Sequence, residues 1–191
     1  TDAVIVANSF HEHAPYAIKA LQAGKHVLTE TAACFTLAEG VQLIEAVEKA
    51  NRIYMFAENY PYTAVNQEMR RLFREGEVGD FRYGEGEYIH PDPAHVKLAR
   101  SCGTNHWRNW IPATYYCTHS LAPVMMITNT TPVKVNGFVV PYDFNDPTQT
   151  MTTRSFDTGC VILYRMDNDA VVKCAHGQFR GHGNYVRIHG N

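Results

Sequence analysis

Three short apolar runs alternate with two segments of helical periodicity over residues 1–60 of this 191-residue chain. The runs occupy residues 4–7, 25–30 and 52–57, and the periodic segments occupy residues 13–23 and 36–50. Strands separated by helices of about 10 to 14 residues are joined by right-handed crossovers, which make a parallel sheet. Because the first run is continuously apolar, its strand is expected to be buried on both faces. The pattern predicts an α/β domain over residues 1–60.

Local residues mark the ends of both predicted helices. Pro15 stands near the start of the first helix, where proline is tolerated, and Gly24 follows its end. Thr36 and Glu39 have the spacing of a capping box at the start of the second helix. The helix boundaries are therefore predicted from local chemistry alone.

Beyond residue 60 the pattern changes to one helix followed by several strands. The helix is predicted over residues 64–74, with Gly76 marking its end. Strands are predicted at residues 81–89, 133–140, 151–156, 160–166, 170–179 and 185–189. Short turns at residues 157–159 and 167–169 join them, which indicates an open, mainly antiparallel sheet.

Two further segments complete the expected α+β domain of residues 61–191. A helix is predicted at residues 114–128, between the first strand of the sheet and the others. The long polar stretch at residues 91–109 is expected to be an active-site loop rather than a linker.

Charge and hydropathy restrict the classes of partner. The chain has 17 basic and 19 acidic residues, a net charge of −2, which gives no single-sign field to attract nucleic acid or anionic lipid. No apolar run approaches the roughly 18 residues that span a bilayer. We therefore expect a cytoplasmic protein that binds a small molecule, with no nucleic-acid or membrane partner.

Cysteine and histidine spacing predicts neither disulfides nor a metal site. The five cysteines are scattered and lack CxxC spacing, so reduced thiols are expected. His11 and His13 are two residues apart and do not share a helix face, unlike the histidines of a zinc-binding helix.

Polar residues directly follow each predicted strand of the first domain, at residues 8–13, 30–33 and 58–62. In an open parallel sheet, ligands bind beyond the carboxyl ends of the strands. These segments are therefore expected to form a site, although ordinary polar loops would look the same at any one position.

An AGKHV segment at residues 23–27 precedes Glu30, with His13 before it and Glu39 in the next helix. This pattern resembles the Gfo/Idh/MocA family of oxidoreductases. The resemblance implies a Rossmann-type domain that binds NAD or NADP, with NAD expected, and a second domain whose open sheet packs the substrate and forms a homo-oligomer. It also implies a glycine-rich phosphate loop upstream of Thr1. The chain is then expected to be a fragment, inactive alone, with the second half of the Rossmann-type sheet and a substrate domain truncated at its C-terminus.

Two positions depart from the family pattern. Thr31 stands where many members have a lysine that acts as acid or base, and Tyr115 stands where the second motif has an aspartate. The segments ETAA at 30–33, ENY at 58–60 and YCTH at 116–119 resemble one branch of the family, the NAD-dependent glycosidases typified by α-N-acetylgalactosaminidase.

Strand-end position and the resemblance together assign roles to twelve residues. The catalytic set is Tyr60, Tyr116 and His119; the cofactor set is Asn8, Ser9, His13, Glu30, Thr31 and Asn59; and the substrate set is Tyr88, Trp107 and Arg108. Histidine titrates near neutral pH, so His119 is the expected base that takes the proton of a sugar hydroxyl. The alternatives are a hydrogen-bonded core histidine for His119 and packing anchors for the tryptophans.

Three functions follow from these assignments. The first is an NAD(P)-dependent oxidoreductase acting on a hydroxyl of a carbohydrate or polyol. The second is a redox-neutral glycosidase or lyase that reuses its NAD. The third, from a different class, is a non-catalytic relative that binds a sugar or nucleotide.

Overall fold

The computed structural model of the chain describes residues 1–91, 93–101, 105–143, 145, 157–179, 181 and 183–191. The chain divides into two compact units, Thr1–Glu58 and Asn59–Asn191.

The first unit is a three-stranded parallel sheet with two helices. Its elements in chain order are β1 (Ala3–Val6), α1 (His13–Gln22), β2 (His26–Thr29), α2 (Leu37–Ala50) and β3 (Tyr54–Phe56), and the strand order is β1-β2-β3. Both strand pairs are parallel, as predicted from the alternation of apolar runs and helices. The capping box of α2 is confirmed: Thr36 Oγ1 accepts a hydrogen bond from Glu39 N at 3.2 Å, and Glu39 Oε2 accepts one from Thr36 N at 3.1 Å.

Both helices pack on the same face of this sheet. Val6 and Val27 form its core with Ala17 and Leu21 of α1 and Leu43 of α2. Side chains of the opposite face are open to solvent, since Ile5 is 72% exposed. The expectation that the first strand is buried on both faces is therefore wrong for this chain.

Among its described residues, the second unit has a five-stranded mixed sheet and three helices. The helices are α3 (Ala64–Arg74), α4 (Ala94–Arg100) and α5 (Thr118–Thr128). The strands are β4 (Tyr83–Ile89), β5 (Pro132–Pro141), β6 (Asp157–Met166), β7 (Val171–Gly177) and β8 (Asn184–His189), in the order β5-β6-β7-β4-β8. Of the four pairs between these five strands, β4–β7 is parallel and the other three are antiparallel. The predicted fold class, a parallel sheet followed by a mainly antiparallel one, is confirmed.

Helix α5 covers one face of the mixed sheet, which we call the inner face. Its Val124 packs in a core with Tyr164, Met166 and Val172. Helix and sheet approach closely at Gly86, where an added Cβ would overlap the backbone carbonyl oxygen of Ser120. The absence of a side chain at Gly86 therefore allows α5 to pack this closely against β4.

Three details of the second unit differ from the predictions, and a fourth is not tested. Residues 157–159 belong to strand β6 rather than to a turn, because they pair with β5 and β7. The stretch predicted as a loop contains α4 and a 3-10 turn, Trp107–Asn109. The helix predicted from residue 114 begins as a 3-10 turn, Ala113–Cys117, and becomes α-helical at Thr118. The strand predicted at residues 151–156 lies outside the described residues.

Candidate functional site

The loops that follow β1 and β2 lie side by side at one edge of the parallel sheet. Glu30 N donates to Val6 O at 2.9 Å, which extends the strand pairing to the start of the second loop. Asn8 Nδ2 donates to Glu12 Oε2 at 3.2 Å, and Thr31 N donates to Glu30 Oε2 at 3.0 Å. The side chains of Asn8 and Glu30 are exposed, whereas Thr31 is buried.

His13 lies beneath these two loops. Its ring is only 1% exposed, and it contacts a backbone carbonyl on each side. Nδ1 lies 2.8 Å from Ala32 O and Nε2 lies 3.1 Å from Asn8 O. His13 therefore contacts the backbone of both loops with its two ring nitrogens.

The residues at this edge fit the polar end of a nicotinamide nucleotide. A carboxylate after a strand of a parallel sheet can accept hydrogen bonds from ribose hydroxyls, as Glu30 is placed to do. Asn8 and Ser9 add an amide and a hydroxyl group. Both belong to the loop after β1, and the last residue of β1, Val6, accepts the hydrogen bond from Glu30 N. The predicted cofactor residues Asn8, Ser9 and Glu30 are thus gathered at one edge within the first unit.

The second unit gathers rings around His119, near the start of α5. The centroid of the imidazole lies 4.6 Å from that of Tyr88, 4.7 Å from Tyr60 and 5.5 Å from Tyr116. His119 itself is 8% exposed. The structure therefore brings the three predicted catalytic residues together and adds Tyr88, which was predicted to contact substrate.

Each ring of this cluster comes from a different element. Tyr60 lies in a 3-10 turn, Tyr60–Tyr62, and its hydroxyl accepts a hydrogen bond from Asn184 Nδ2 at 3.2 Å. Tyr88 is on the inner face of β4, and Tyr116 is in the 3-10 turn before α5. The cluster thus depends on the packing of the whole second unit rather than on one local motif.

His176 is a member of the cluster that the sequence did not reveal. It is 3% exposed, and its ring is stacked on Tyr88 with centroids 5.3 Å apart and planes at 2°. The stack follows from the strand register, because Tyr88 and His176 are paired across β4 and β7. The alternation of Val172, Cys174 and His176 along β7 is the sequence pattern that would have placed His176 on the buried face.

The remaining predicted residues lie in separate positions. The Arg108 guanidinium lies over the Trp107 ring at 4.0 Å, within the 3-10 turn Trp107–Asn109. Burial, followed by the charge of Arg108, lowers the pKa of neighbouring His106. Asn59 is exposed and precedes the turn of Tyr60, and its carbonyl accepts a hydrogen bond from Tyr62 N at 3.0 Å. Substrate contact by Trp107 and Arg108, and cofactor contact by Asn59, remain predictions.

Glu85 is a buried carboxylate on the face of β4 opposite the ring cluster, and its two cationic partners are partly exposed. The residue as a whole is 8% exposed. Lys173 Nζ lies 2.9 Å from its carboxylate, Arg187 lies at 3.1 Å, and the hydroxyl of Tyr83 donates to it at 2.7 Å. The hydrogen bond from Lys173, followed by that from Tyr83, lowers the pKa of Glu85 to about 2. Cross-strand partners on β7 and β8 thus keep this carboxylate ionised.

The buried thiols are poor nucleophiles. Burial raises the pKa of both Cys160 and Cys174 to about 12.

Within the part of the chain that the structure describes, no cluster of three or more metal-ligating side chains occurs. Among the same residues, no helix is long and apolar enough to cross a membrane.

Residues 1–58 match a family model described as "Oxidoreductase family, NAD-binding Rossmann fold". A curated protein named glycosyl hydrolase family 109 protein, from Shewanella sp. strain W3-18-1, is 29% identical over 131 residues. That alignment covers 67% of this chain and 28% of the relative, so the chain spans less than a third of its length.

Two solved structures share the fold along the full chain. An inositol dehydrogenase homologue from Azotobacter vinelandii, complexed with NADH and myo-inositol, matches with a TM-score of 0.77 and 21% identity. An aldose-aldose oxidoreductase from Caulobacter crescentus, complexed with glycerol, matches with a TM-score of 0.72 and 24% identity. Both alignments cover 100% of this chain, and they cover 48% and 54% of those proteins.

Proposed function

We propose that the complete protein is an NAD(P)-dependent oxidoreductase acting on a carbohydrate or polyol hydroxyl, since residues 1–58 match a family model of NAD-binding Rossmann-fold oxidoreductases. The observation that carries this proposal is the position of His119, a buried imidazole among the rings of Tyr60, Tyr88 and Tyr116. A histidine in this setting is suited to move the proton that alcohol oxidation releases.

The reaction requires two transfers from the substrate. The hydroxyl proton passes to a base as a hydride leaves the carbon, and a bound nicotinamide supplies the hydride acceptor. We assign the proton to His119, because Thr31 replaces the family's usual lysine and a threonine hydroxyl does not accept a proton at neutral pH. Tyr116 is one helical turn away and supports the transfer by holding a substrate oxygen or relaying the proton.

The tyrosine rings have a second role at the same place. Aromatic faces pack against the apolar C–H surface of a sugar or polyol, and they also exclude water from the imidazole. Tyr88 and Tyr60 are in edge contact, with centroids 5.1 Å apart, so they form a continuous aromatic wall beside His119.

The cofactor is proposed to lie against the loops that follow β1 and β2. Its ribose and nicotinamide are held by hydrogen bonds from Asn8, Ser9 and Glu30. Thr31, at the start of the loop after β2, contributes its hydroxyl group. Exposed amide and carboxylate groups at this edge support the assignment. NAD is the expected form.

A direct assay tests the oxidoreductase proposal. The complete protein is mixed with NAD⁺ or NADP⁺ and a panel of myo-inositol, glucose and levoglucosan, and absorbance of the reduced nicotinamide is followed. Net reduction with at least one of these substrates is expected. A protein that binds cofactor and sugar without turnover would instead be a non-catalytic binding relative.

A redox-neutral glycosidase is the second candidate, and it rests on the match to a protein named glycosyl hydrolase family 109. In this chemistry, oxidation at one carbon acidifies a neighbouring C–H bond. Loss of that proton expels the glycosidic oxygen as the free alcohol and leaves a carbon–carbon double bond beside the ketone. Water adds to this double bond, and the hydride then returns to the oxidised carbon, so NAD is regenerated. The assay for this candidate measures release of nitrophenol from nitrophenyl N-acetylgalactosaminide. Nitrophenol release without net cofactor reduction would favour the glycosidase over the dehydrogenase.

A further inference from the structure

We propose that His13 is a positioning residue that ties the loop after β1 to the loop after β2 and so sets the spacing of the groups that hold the cofactor. The part of this inference that concerns the cofactor rests on the proposed function. The link between the two loops rests on contacts within the first unit alone.

The two contacts of His13 define the link. Nδ1 lies 2.8 Å from the carbonyl oxygen of Ala32, which is 19 residues away in sequence, and Nε2 lies 3.1 Å from that of Asn8. A carbonyl oxygen can only accept, so each contact is a hydrogen bond when that ring nitrogen carries its hydrogen. The neutral ring has one N–H group and the imidazolium has two. The contact with Ala32 is the shorter of the two, and it is the one that joins His13 to the second loop.

The imidazole of His13 is held in place by helix α1 and by Phe10. His13 is the first residue of α1, and the same helix buries Ala14, Ala17 and Leu21. Phe10 packs beside the imidazole with ring centroids 5.8 Å apart. A ring that is 1% exposed and attached to a packed helix has little freedom to move, so it can transmit the position of the core to both loops.

The contacts of His13 with the two loops involve main-chain atoms, so they do not occupy the side chains that are proposed to bind the cofactor. His13 contacts the main chain of Asn8 and Ala32, while the side chains of Asn8 and Glu30 are exposed. The buried imidazole therefore holds the backbone from beneath, and the neighbouring side chains face solvent at the sheet edge. His13 acts on a bound nucleotide through these residues rather than by direct contact.

Three substitutions separate the two contacts of the imidazole. In His13→Asn, the amide nitrogen replaces Nδ1 and offers a donor to the carbonyl of Ala32. In His13→Gln, the amide nitrogen approaches the place of Nε2 and offers a donor to the carbonyl of Asn8. His13→Phe keeps a buried ring and removes both polar contacts.

Two measurements on the complete protein test the link. Hydrogen exchange followed by mass spectrometry reports on residues 8–12 and 30–34 without any ligand, and calorimetry with NAD⁺ reports on the cofactor site. In His13→Phe we expect exchange in both loops to rise and the Kd for NAD⁺ to weaken, each by about tenfold or more, as the loss of a buried hydrogen bond would give. In His13→Asn the 30–34 loop should stay close to wild type, whereas in His13→Gln it should exchange faster.

The outcomes separate failure of the link from failure of the proposed function. Wild-type exchange in both loops of His13→Phe would overturn the link. If His13→Phe does not fold, equal exchange of residues 30–34 in the Asn and Gln variants would overturn it as well. A wild-type protein that binds neither NAD⁺ nor NADP⁺ would refute the proposed function, and the exchange data would still decide the role of His13 in the loops.

Discussion

His119 is held by tyrosines that come from three different parts of the second unit. Tyr60, Tyr88 and Tyr116 approach within 4.6 to 5.5 Å, measured between ring centroids. These rings fix the imidazole and shield it from water, so proton transfer at this residue depends on the surrounding aromatic packing. The proposed general base is therefore also the residue at which substitution is most informative.

Replacing His119 with alanine is expected to lower turnover by about 10²- to 10⁴-fold, the usual contribution of a general base. The Kd for NAD⁺ should change little, because the cofactor is assigned to loops of the first unit. Tyr116→Phe should lower turnover by a smaller factor, since the Tyr116 hydroxyl only assists the proton transfer. His189→Ala is the control, an exposed histidine on β8. Steady-state kinetics check these effects, and near-normal turnover in His119→Ala would move the assignment to Tyr60 or Tyr116.

Glu85 should make the stability of the second unit depend on acidic pH. Glu85→Gln is expected to lower the free energy of unfolding at pH 7 by roughly 1–3 kcal/mol, because it removes charge-assisted hydrogen bonds. The folded-state pKa is about 2, below the unfolded value of about 4.3. The stabilisation is thus present above that unfolded value and is lost as pH falls towards 2.

Urea unfolding at several pH values measures this dependence. The difference between wild type and Glu85→Gln should narrow as pH falls from about 4.3 towards 2. Glu87→Gln, two residues along the same strand, is the control and should change stability by less than about 0.5 kcal/mol. A constant difference across that pH range would show that ionisation of Glu85 is not the cause.

The sequence predicted part of the residue cluster and missed part of it, for a physical reason. Tyr60, Tyr88, Tyr116 and His119 were identified from motifs, which are local. His176 of β7 stacks on Tyr88 of β4, and Glu85 of β4 is bound by Lys173 of β7 and Arg187 of β8, so each contact joins residues far apart in sequence. Their partners depend on sheet order and register, and neither could be predicted from a single sequence.

At the scale of elements, the predictions that were confirmed are those that depend on neighbouring residues in the sequence. The α3 helix begins and ends as predicted, at Ala64 and Arg74, and the Thr36 capping box forms at α2. Residues 157–159 have the composition of a turn, yet they pair with two neighbouring strands and continue β6. Long-range pairing outweighs turn propensity there. For the same reason, the parallel β4–β7 pair could not be predicted from hairpin-like spacing.

The contact between α5 and β4 gives a prediction at this scale. In Gly86→Ala, the new methyl would lie against the carbonyl of Ser120, so the helix has to move away from the sheet. We expect stability to fall by roughly 1–3 kcal/mol or more, as overpacking does. Turnover should fall as well, because His119 is next to Ser120 on that helix. Urea unfolding and kinetics measure the two effects.

Gly183→Ala is the matched control for this substitution. An added Cβ at Gly183 meets no atom within 4 Å, so its stability should stay within about 0.5 kcal/mol of wild type. Equal stabilities of the two variants would mean that the helix does not seat as closely on β4 as the structure has it.

At the scale of the whole molecule, the face of the mixed sheet opposite α5 presents apolar side chains. Phe138 is 82% exposed, Leu163 48% and Val161 44%. Val172 of β7 is fully buried under α5, because it alternates with the residues of this face. Exposed apolar patches of this kind mark protein interfaces, so we predict that this face mediates self-association.

Light scattering of the complete protein checks this prediction. Phe138→Lys combined with Leu163→Lys is expected to shift an oligomer towards the monomer. Val65→Lys is the control, since Val65 is 70% exposed on α3, outside the sheet. An unchanged mass in the double variant, or a wild-type protein that is monomeric at high concentration, would count against the predicted interface.

The central claim is that this chain is part of a nicotinamide-dependent enzyme, and cofactor binding tests it without knowledge of the substrate. Calorimetric titration of the complete protein with NAD⁺, NADH, NADP⁺ and NADPH is the most direct measurement. We predict that at least one pair binds with a micromolar or lower Kd and that the NAD pair binds more tightly than the NADP pair. A protein that binds none of the four nucleotides would contradict the account.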